Sequence, residues 1–387
     1  MAKRVGMEVS IAAAEAVKQA NTDIVAAYPI TPQTHIVEHL SELVNNGELD
    51  AEFIPVESEH SAMSVCAGGA AVGARTFTCT SSQGLILMSE IVYAASSLRL
   101  PMLMILANRS LNSPLSIWND HSDVMAIRDC GWIQVFADNG QEVYDHVFVG
   151  YRVAEDRNVL TPFIVNLDGF ILTHVIEPIE MIEQEVVDRY LPPYQPLHRL
   201  HPDRPVTMGC FGPPILFTEA KKAQDEAMNK TMPHILQAWQ EFGDLTGRYY
   251  HPVETHETEG AKIIVVTQGA LGETASVGIE HMREHNEAVG LVKIRLWRPF
   301  PFDEFRKAVK GAELVVVMDR AISYGGPGGP LAGEVRAALY PEESHPRVVN
   351  FIIGLGGRDV SPGDFVEMIQ QAKVKPGEWY EIHGVRE

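Results

Sequence analysis

The sequence predicts an α/β protein with a doubly wound parallel-sheet domain followed by a second, smaller α/β domain. Three observations carry this. Short runs rich in Val, Ile and Leu alternate with longer Ala-rich or amphipathic stretches through residues 7–172, and again from 257 onward. That is the β-α-β-α rhythm of a parallel sheet covered by helices on both faces. One run, Pro101–Ala107, is apolar at almost every position, as a strand buried on both faces must be. Between the two blocks, Leu172–His256 lose the rhythm and carry prolines at 192, 193, 196, 202 and 205. The expected division is therefore 1–172, an extended linker 173–256 with one helix, and 257–387.

Taken in order, residues 7–20 are Ala-rich with helical apolar periodicity and predict a helix. Asp23–Ala27 is a short strand. The two prolines of Tyr28-Pro-Ile-Thr-Pro32 forbid regular structure and fix a rigid loop at its end. A helix follows from about Gln33 to Asn45, and Glu52–Pro55 is the next strand. Ser58 can cap a helix running to about Gly73, which Ala67, Gly68, Gly69, Ala70 and Ala71 strip of bulk. Arg75–Thr80 is a strand, Gly84–Ser97 a helix and Pro101–Ala107 the buried strand. Leu111–Asp123 is a loop crowded with polar residues. A helix near 122–129, a strand at Trp132–Phe136, a helix at Gln141–Glu155 and a strand at Pro162–Asn166 complete the first block.

The linker's one helix is placed at Phe217–Phe242. In the second block, strands at Lys262–Thr267, Gly290–Arg295, Leu314–Met318 and Val348–Ile353 alternate with helices at Gly272–His285, Asp303–Val309, Pro330–Ala338 and Pro362–Ala372.

With 387 residues and ordinary apolar content, the chain can fill two or three cores. A formal net charge of −20 argues against nucleic acid or an anionic membrane as the main partner. No stretch is long and apolar enough to span a bilayer. Met-Ala-Lys-Arg-Val at the start is not followed by a signal-type apolar core, so the expected location is cytoplasmic. The four cysteines, Cys66, Cys79, Cys130 and Cys210, stand at no metal or cluster spacing and read as small buried hydrophobes. No iron–sulfur cluster or structural zinc is expected in this chain, and no metal site is assigned.

The residues that can carry chemistry converge. Strand ends and the helix starts that follow them meet at one sheet edge, where ligands bind. This places Glu57 or Glu59, Ser81, Ser82, Gln83 and Arg109 near one another. A Glu entering an Ala/Gly-rich helix loses hydration, which suits it to proton work; a capping charge is the other reading. Arg109 closes an apolar strand, where a guanidinium can grip a carboxylate in bidentate fashion or pair with a buried acid. Thr31, between prolines, is a rigidly placed hydroxyl. There is no G-x-G-x-x-G and no Walker loop. The run Gly325-Gly-Pro-Gly-Gly329 reads as a rigid loop rather than an anion cradle. His35 with His39, and His281 with His285, stand four apart on helices without a third ligand, and read as surface histidines.

Together Tyr28-Pro-Ile-Thr-Pro32, Glu57-Ser-Glu-His60, Thr80-Ser-Ser-Gln-Gly84, Asn108-Arg109, Asn119-Asp-His121 and Asn166-Leu-Asp-Gly-Phe170 resemble the α subunit of 2-oxoacid:ferredoxin oxidoreductases. The likeness is closest to pyruvate:ferredoxin oxidoreductase (pyruvate synthase) and covers nearly the whole chain. It implies a pyrimidine-type thiamine-diphosphate-binding domain followed by a transketolase C-terminal-like domain. By the same resemblance, Glu59 hydrogen-bonds the aminopyrimidine ring and favours the imino form that helps remove the thiazolium C2 proton. The Ser-Glu-x-x-Ala frame selects Glu59 over Glu57.

Arg109 and Thr31 match the family's substrate-carboxylate contacts, with Asn112 beside them. Pro29, Ile30, Ser82 and Gln83 fall at the cofactor, and Ile30, Leu111 and Ile117 are candidates for the acyl pocket. Thiamine diphosphate is shared with a β subunit. A complete site also needs Gly-Asp-Gly for magnesium, whereas this chain has Leu167-Asp-Gly169. Mg²⁺ and [4Fe-4S] clusters are therefore expected on partner subunits of β, γ and δ type. Ferredoxin, a 2-oxoacid and coenzyme A are the implied reactants, in a hetero-oligomer of anaerobic metabolism. Other 2-oxoacids (branched-chain, aryl, 2-oxoglutarate) and a non-catalytic scaffold subunit are the alternatives.

Overall fold

The structure, a computed structural model, describes residues 3–377 and 379–386. Positions 1, 2, 378 and 387, including the Met1-Ala2 of the N-terminal reading, lie outside the described residues. A seven-stranded sheet runs from edge to edge as Leu296–Arg298, Ile133–Phe136, Phe163–Asp168, Leu103–Asn108, Thr76–Thr80, Ile24–Ala27 and Glu52–Pro55. All neighbours are parallel except the first pair.

Side chains along a strand alternate between faces, and Leu103–Asn108 shows what that does here. Leu103, Ile105 and Ala107 enter one apolar core, with helices Val9–Gln19, Thr34–Asn45 and Gly140–Ala154. Met104 and Leu106 enter a second core, with Glu59–Val72 and Ser89–Ser97. Being buried on both faces, the strand reads as one continuous apolar run. The small-residue helix Glu59–Val72 lies tight on its sheet: a Cβ at Gly69 would stand 2.7 Å from Ile24 Cδ1 and 2.9 Å from Thr76 Cγ2.

A six-stranded sheet follows, ordered Tyr380–Ile382, Arg347–Ile352, Leu314–Asp319, Ile263–Thr267, Val289–Ile294 and Val253–His256. Only Val253–His256 is antiparallel. The second core continues into this unit through Trp132, Trp297, Val266 and Val292.

Several elements differ from the sequence expectation. Lys3–Glu8 is a strand, paired antiparallel with Ile176–Met181; both are short and mostly exposed or half-buried, so neither shows an apolar pattern. The stretch 173–256 holds more than one helix. Gln184–Tyr190 is helical, and the helix expected at Phe217–Phe242 is two, Pro214–Asn229 and Met232–Thr246. Pro233, in the first turn of the latter, lacks the N–H needed to continue the former. The helix expected at Gly84–Ser97 is Ser82–Leu87 and Ser89–Ser97, interrupted at Met88. Leu296–Arg298, from the second block, joins the first sheet.

Candidate functional site

Strand order reverses around Ile24–Ala27. The chain leaves it for Glu52–Pro55 on one side and returns to Thr76–Thr80 on the other. Connections diverging from such a point leave a crevice at the carboxyl ends of the strands. A cleft of about 520 Å³ lies there. It is lined by Ile30 after the first strand, Glu59 after the second, Gln83 and Gly84 after the third, and Leu111 and Asn112 after Leu103–Asn108. Ile86 and Leu87, which the sequence reading missed, complete it. A larger cavity of about 890 Å³ lies between helix Pro214–Asn229 and the Arg298–Arg306 stretch. It receives none of these strand ends, and its three arginines, Arg128, Arg298 and Arg306, are paired with acids.

Two glutamates that the strand-to-helix turn alone leaves open, and between which the family resemblance selects Glu59, have different surroundings. Ser58 caps helix Glu59–Val72 by accepting from Ser61 N at 3.3 Å. That turn leaves Glu57 exposed, where the Ser61 hydroxyl donates to it and holds its carboxyl below the usual range. Glu59 is 6% exposed and makes no hydrogen bond or ion pair with any described residue. Gly84 makes room for it. A Cβ there would fall 2.6 Å from Glu59 Oε1 and 2.5 Å from Thr80 Oγ1, itself buried without a partner. Glu59 lines the cleft.

Arg109 is also buried. Its Nε donates to Ser116 O at 2.9 Å and its Nη1 to Thr31 O at 3.0 Å. Nη2 has no partner among the described residues, and no carboxylate stands within ion-pair distance. The acid whose charge acts on the guanidinium is buried Asp123, outside ion-pair distance. Gly169 lets these parts converge: a Cβ there would stand 2.4 Å from Asn108 O and 2.7 Å from Pro32 Cγ.

Beneath the site lies Asp123, fully buried. Its carboxylate accepts from Ser82 N at 3.1 Å, Arg109 N at 3.0 Å, Asn108 Nδ2 at 3.1 Å and Val124 N at 2.7 Å. Burial pushes its pKa up to about 7 against the pull of those donors. It ties the turn after Thr76–Thr80 to the end of Leu103–Asn108. That turn is strained: Ser82 has φ +48°, a left-handed conformation that costs a non-glycine residue roughly 1–3 kcal/mol. The sequence reading missed Asp123, because its donors come from three separate segments.

The Asn119-Asp-His121 motif proves to be a joint between the two units. Asp168 Oδ1 accepts from Asn119 Nδ2 at 2.7 Å and His121 Nε2 at 2.8 Å, and lies 3.2 Å from Arg320 Nη1. Asp168 Oδ2 accepts from Ala270 N at 2.7 Å. Burial alone would raise the Asp168 carboxyl, but Arg320, His121 and Asn119 hold it well below the usual range.

Of the sequence-marked site residues, Glu59, Gln83, Ile30 and Asn112 line the cleft. Arg109 and Thr31 do not line it; they are bonded to each other, Thr31 directly after the lining residue Ile30 and Arg109 two residues before the lining residue Leu111. Ser82 is buried, with its hydroxyl donating to Ser110 O at 2.5 Å, and Pro29 is exposed on the loop before Ile30. Among the acyl-pocket candidates, Ile30 and Leu111 face the cleft, whereas Ile117 is exposed. In the glycine run, the N–H groups of Leu331 and Ala332 that open helix Pro330–Leu339 are taken by Asp319 at 2.8 and 3.0 Å. No anion is needed there.

His35 and His39 bond Glu8 and Glu15 at 2.6 and 2.9 Å. Among the described residues no three His, Cys, Asp or Glu side chains gather as metal ligands. Cys66, Cys79 and Cys130 are buried, and burial raises their thiol pKa values, to about 12 for Cys66 and Cys130. Cys210 is exposed, unlike the buried hydrophobe expected, because it sits in an irregular segment before Pro214–Asn229. Among the described residues no helix is long and apolar enough to cross a membrane.

Residues 15–239 match the family model described as pyruvate flavodoxin/ferredoxin oxidoreductase, thiamine diP-binding, and residues 261–365 match pyruvate:ferredoxin oxidoreductase core domain II. The chain is 48% identical to the pyruvate synthase subunit PorA of Methanothermobacter thermautotrophicus, over 94% of this chain and 93% of that one. It is 40% identical to the ketoisovalerate oxidoreductase subunit VorA of Pyrococcus abyssi, over 96% of each. Among solved structures, a 2-oxoglutarate:ferredoxin oxidoreductase from Magnetococcus marinus is similar in fold, with a TM-score of 0.68 at 18% identity, covering 95% of this chain and 65% of that one. A split-gene transketolase has a TM-score of 0.56 at 12% identity, covering 95% of this chain and 98% of that one.

Proposed function

The chain belongs to the pyruvate:ferredoxin oxidoreductase family, and from that premise we propose that it is the α subunit of a pyruvate synthase. In this reading it holds the pyrimidine half of thiamine diphosphate and receives the substrate carboxylate. The complete enzyme converts pyruvate, coenzyme A and two oxidised ferredoxins into acetyl-CoA, carbon dioxide, a proton and two reduced ferredoxins, reversibly. Partner subunits of β, γ and δ type supply the magnesium–diphosphate half-site and the iron–sulfur clusters. The proposal includes a cytoplasmic location, where coenzyme A and ferredoxin are found. It keeps residues 1–172 as the cofactor-facing unit, 173–256 as the connection and 257–387 as the buttressing unit.

The observation that carries the proposal is Glu59: a buried residue whose carboxylate has no partner among the described residues, in an otherwise largely apolar cleft. The donor set suits an aminopyrimidine ring, with one acceptor for a ring N–H and the apolar faces of Ile30, Ile86, Leu87 and Leu111 around it. Bound there, the cofactor supplies a nucleophilic carbon able to cleave the carbonyl–carboxylate bond of a 2-oxoacid. Glu59 holds a proton on the ring nitrogen and orients the ring. Arg109, held by Ser116 O and Thr31 O, offers Nη2 to the substrate carboxylate. The apolar wall excludes water.

The test is purification of the native complex, with ferredoxin reduction assayed on a panel of 2-oxoacids plus coenzyme A. Pyruvate should give the highest kcat/KM. The identity to VorA supports a branched-chain preference as the competing outcome. No turnover with any 2-oxoacid would favour the scaffold reading.

A further inference from the structure

One turn of the second unit rests against the loop that carries Arg109's anchor. Strand Arg347–Ile352 runs into Ile353-Gly-Leu-Gly-Gly357, in which Gly354, Gly356 and Gly357 have φ of +63°, +59° and +75°. These are left-handed conformations that side chains resist. The glycines also allow close approach. A Cβ at Gly357 would stand 2.6 Å from Trp118 Cβ, and one at Gly356 would stand 3.6 Å from Ser116 Oγ. The main chains are bonded as well: Gly357 N donates to Asn119 O at 2.6 Å and Gly356 N to the Asp120 carboxylate at 3.3 Å.

The facing loop, residues 110–119, has little burial of its own. Residues 112–115 are exposed, and so are Ile117 and Trp118. It is closed by Ser110 N and Ser110 Oγ, both donating to Trp118 O at 3.0 Å. A segment with few buried contacts is placed by whatever it leans on, and Ser116 O of this segment accepts from Arg109 Nε.

We infer that the Gly354–Gly357 turn of the second unit is a positioning element for 2-oxoacid binding. It sets the place of the 110–119 loop and, through Ser116 O, the direction in which Arg109 presents Nη2. The inference rests on the reading of Arg109 as the carboxylate contact. A left-handed glycine is required at Gly357 because a Cβ there would push Trp118, and Ser116 with it.

The experiment uses the assembled complex with Gly357→Ala, Gly356→Ala and Arg109→Lys variants. Gly311→Ala is the control, since Gly311 has φ +85° in the same unit with nothing within 4 Å of where a Cβ would stand. It imposes comparable backbone strain without touching the loop. Gly357→Ala should raise KM for the 2-oxoacid about tenfold, leave KM for coenzyme A within about twofold, and speed amide hydrogen exchange in 110–119. Gly356→Ala, with more room, should shift both in the same direction by less, and it substitutes for Gly357→Ala if that variant does not assemble. Gly311→Ala should change neither.

Unchanged exchange in 110–119, or the same KM change in the Gly311 variant, overturns the inference whatever Arg109 does. Arg109→Lys separates the two levels. If it raises KM while the glycine variants do not, the positioning role fails and the carboxylate contact stands. If it leaves KM unchanged, the carboxylate contact fails and takes the inference with it.

Discussion

Arg109 Nη1 donates to the main-chain carbonyl of Thr31 at 3.0 Å, so the residue marked in the sequence for its hydroxyl anchors its neighbour through its backbone. The two functions separate by mutation. Thr31→Val keeps the carbonyl and replaces by a methyl only the hydroxyl, which has no partner among the described residues. A hydroxyl bonded to the substrate carboxylate makes a hydrogen bond to a charged group, worth roughly 1.5–3 kcal/mol. KM for the 2-oxoacid should therefore rise by roughly tenfold to a hundredfold. A rise beyond about a hundredfold in steady-state assays would mean that the Arg109 anchor itself had been lost.

Glu59 and Glu57 should respond oppositely to the same change. Glu59→Gln keeps shape and burial but replaces the free carboxylate with an amide, so exchange of the cofactor's C2 proton, followed by NMR, should nearly stop while the fold is kept. Glu57→Gln alters an exposed group bonded to Ser61 and should leave exchange close to wild type. A larger loss in the Glu57 variant would reverse the assignment.

Arg109→Lys retains the charge but not the planar fork. Losing one charged hydrogen bond, worth roughly 1.5–3 kcal/mol, should lower kcat/KM for the 2-oxoacid by roughly tenfold to a few hundredfold. KM for coenzyme A and the thermal midpoint should hardly move, since no buried acid is left unpaired. Unfolding of the Arg109→Ala variant with normal 2-oxoacid KM in the surviving complex would contradict this.

Asp123 gives stability a pH dependence of definite sign. Its folded pKa, about 7, lies above the ordinary value of 3.8, so the folded state holds the proton more tightly. Between those values the unfolded chain binds fewer protons than the folded one, and stability falls as pH rises, with the full penalty above about 7. Asp123→Asn removes the titration but leaves one acceptor oxygen for four donors. The variant should be less stable at pH 5, and the gap in melting midpoint should shrink toward pH 8. A gap that widened with pH would show that the carboxylate is stabilised as an anion.

Expressed alone, the chain should be colourless and bind thiamine diphosphate weakly, because Leu167-Asp-Gly169 commits Asp168 to Asn119, His121, Arg320 and Ala270. Calorimetric binding at micromolar affinity or tighter would count against this.

The legible parts of the chain were those fixed by local pattern. Pro101–Ala107 announced a buried strand because both its faces are covered, and Ser58 announced a helix start because capping is a local hydrogen bond. The cleft residues Glu59 and Gln83 followed from strand ends meeting at one edge. What pattern could not reach was set at long range. Asp123 looks like any loop acid until its donors arrive from Ser82, Asn108 and Arg109. Glu57 and Glu59 stand two apart in sequence; local pattern does not separate them, the resemblance selects Glu59, and burial distinguishes the two. Lys3–Glu8 becomes a strand because Ile176–Met181 offers it an edge. The family resemblance supplied what propensity could not, the expectation of thiamine diphosphate as the cofactor.

The strand Leu296–Arg298 pairs with Ile133–Phe136 although it belongs to the second unit's stretch of chain. The chain is therefore not modular. Residues 257–387 cannot be cut away without baring the parallel edge at Ile133–Phe136, and a bared edge is a template for unwanted pairing. Trp297, within the crossing strand, and Phe300, just after it, would leave the shared core with it. A truncated first unit should aggregate rather than bind cofactor weakly, and the intact chain should melt in one calorimetric transition. Gene fissions in which the remainder folds unaided are then barred between residues 168 and 296, however linker-like the prolines there look.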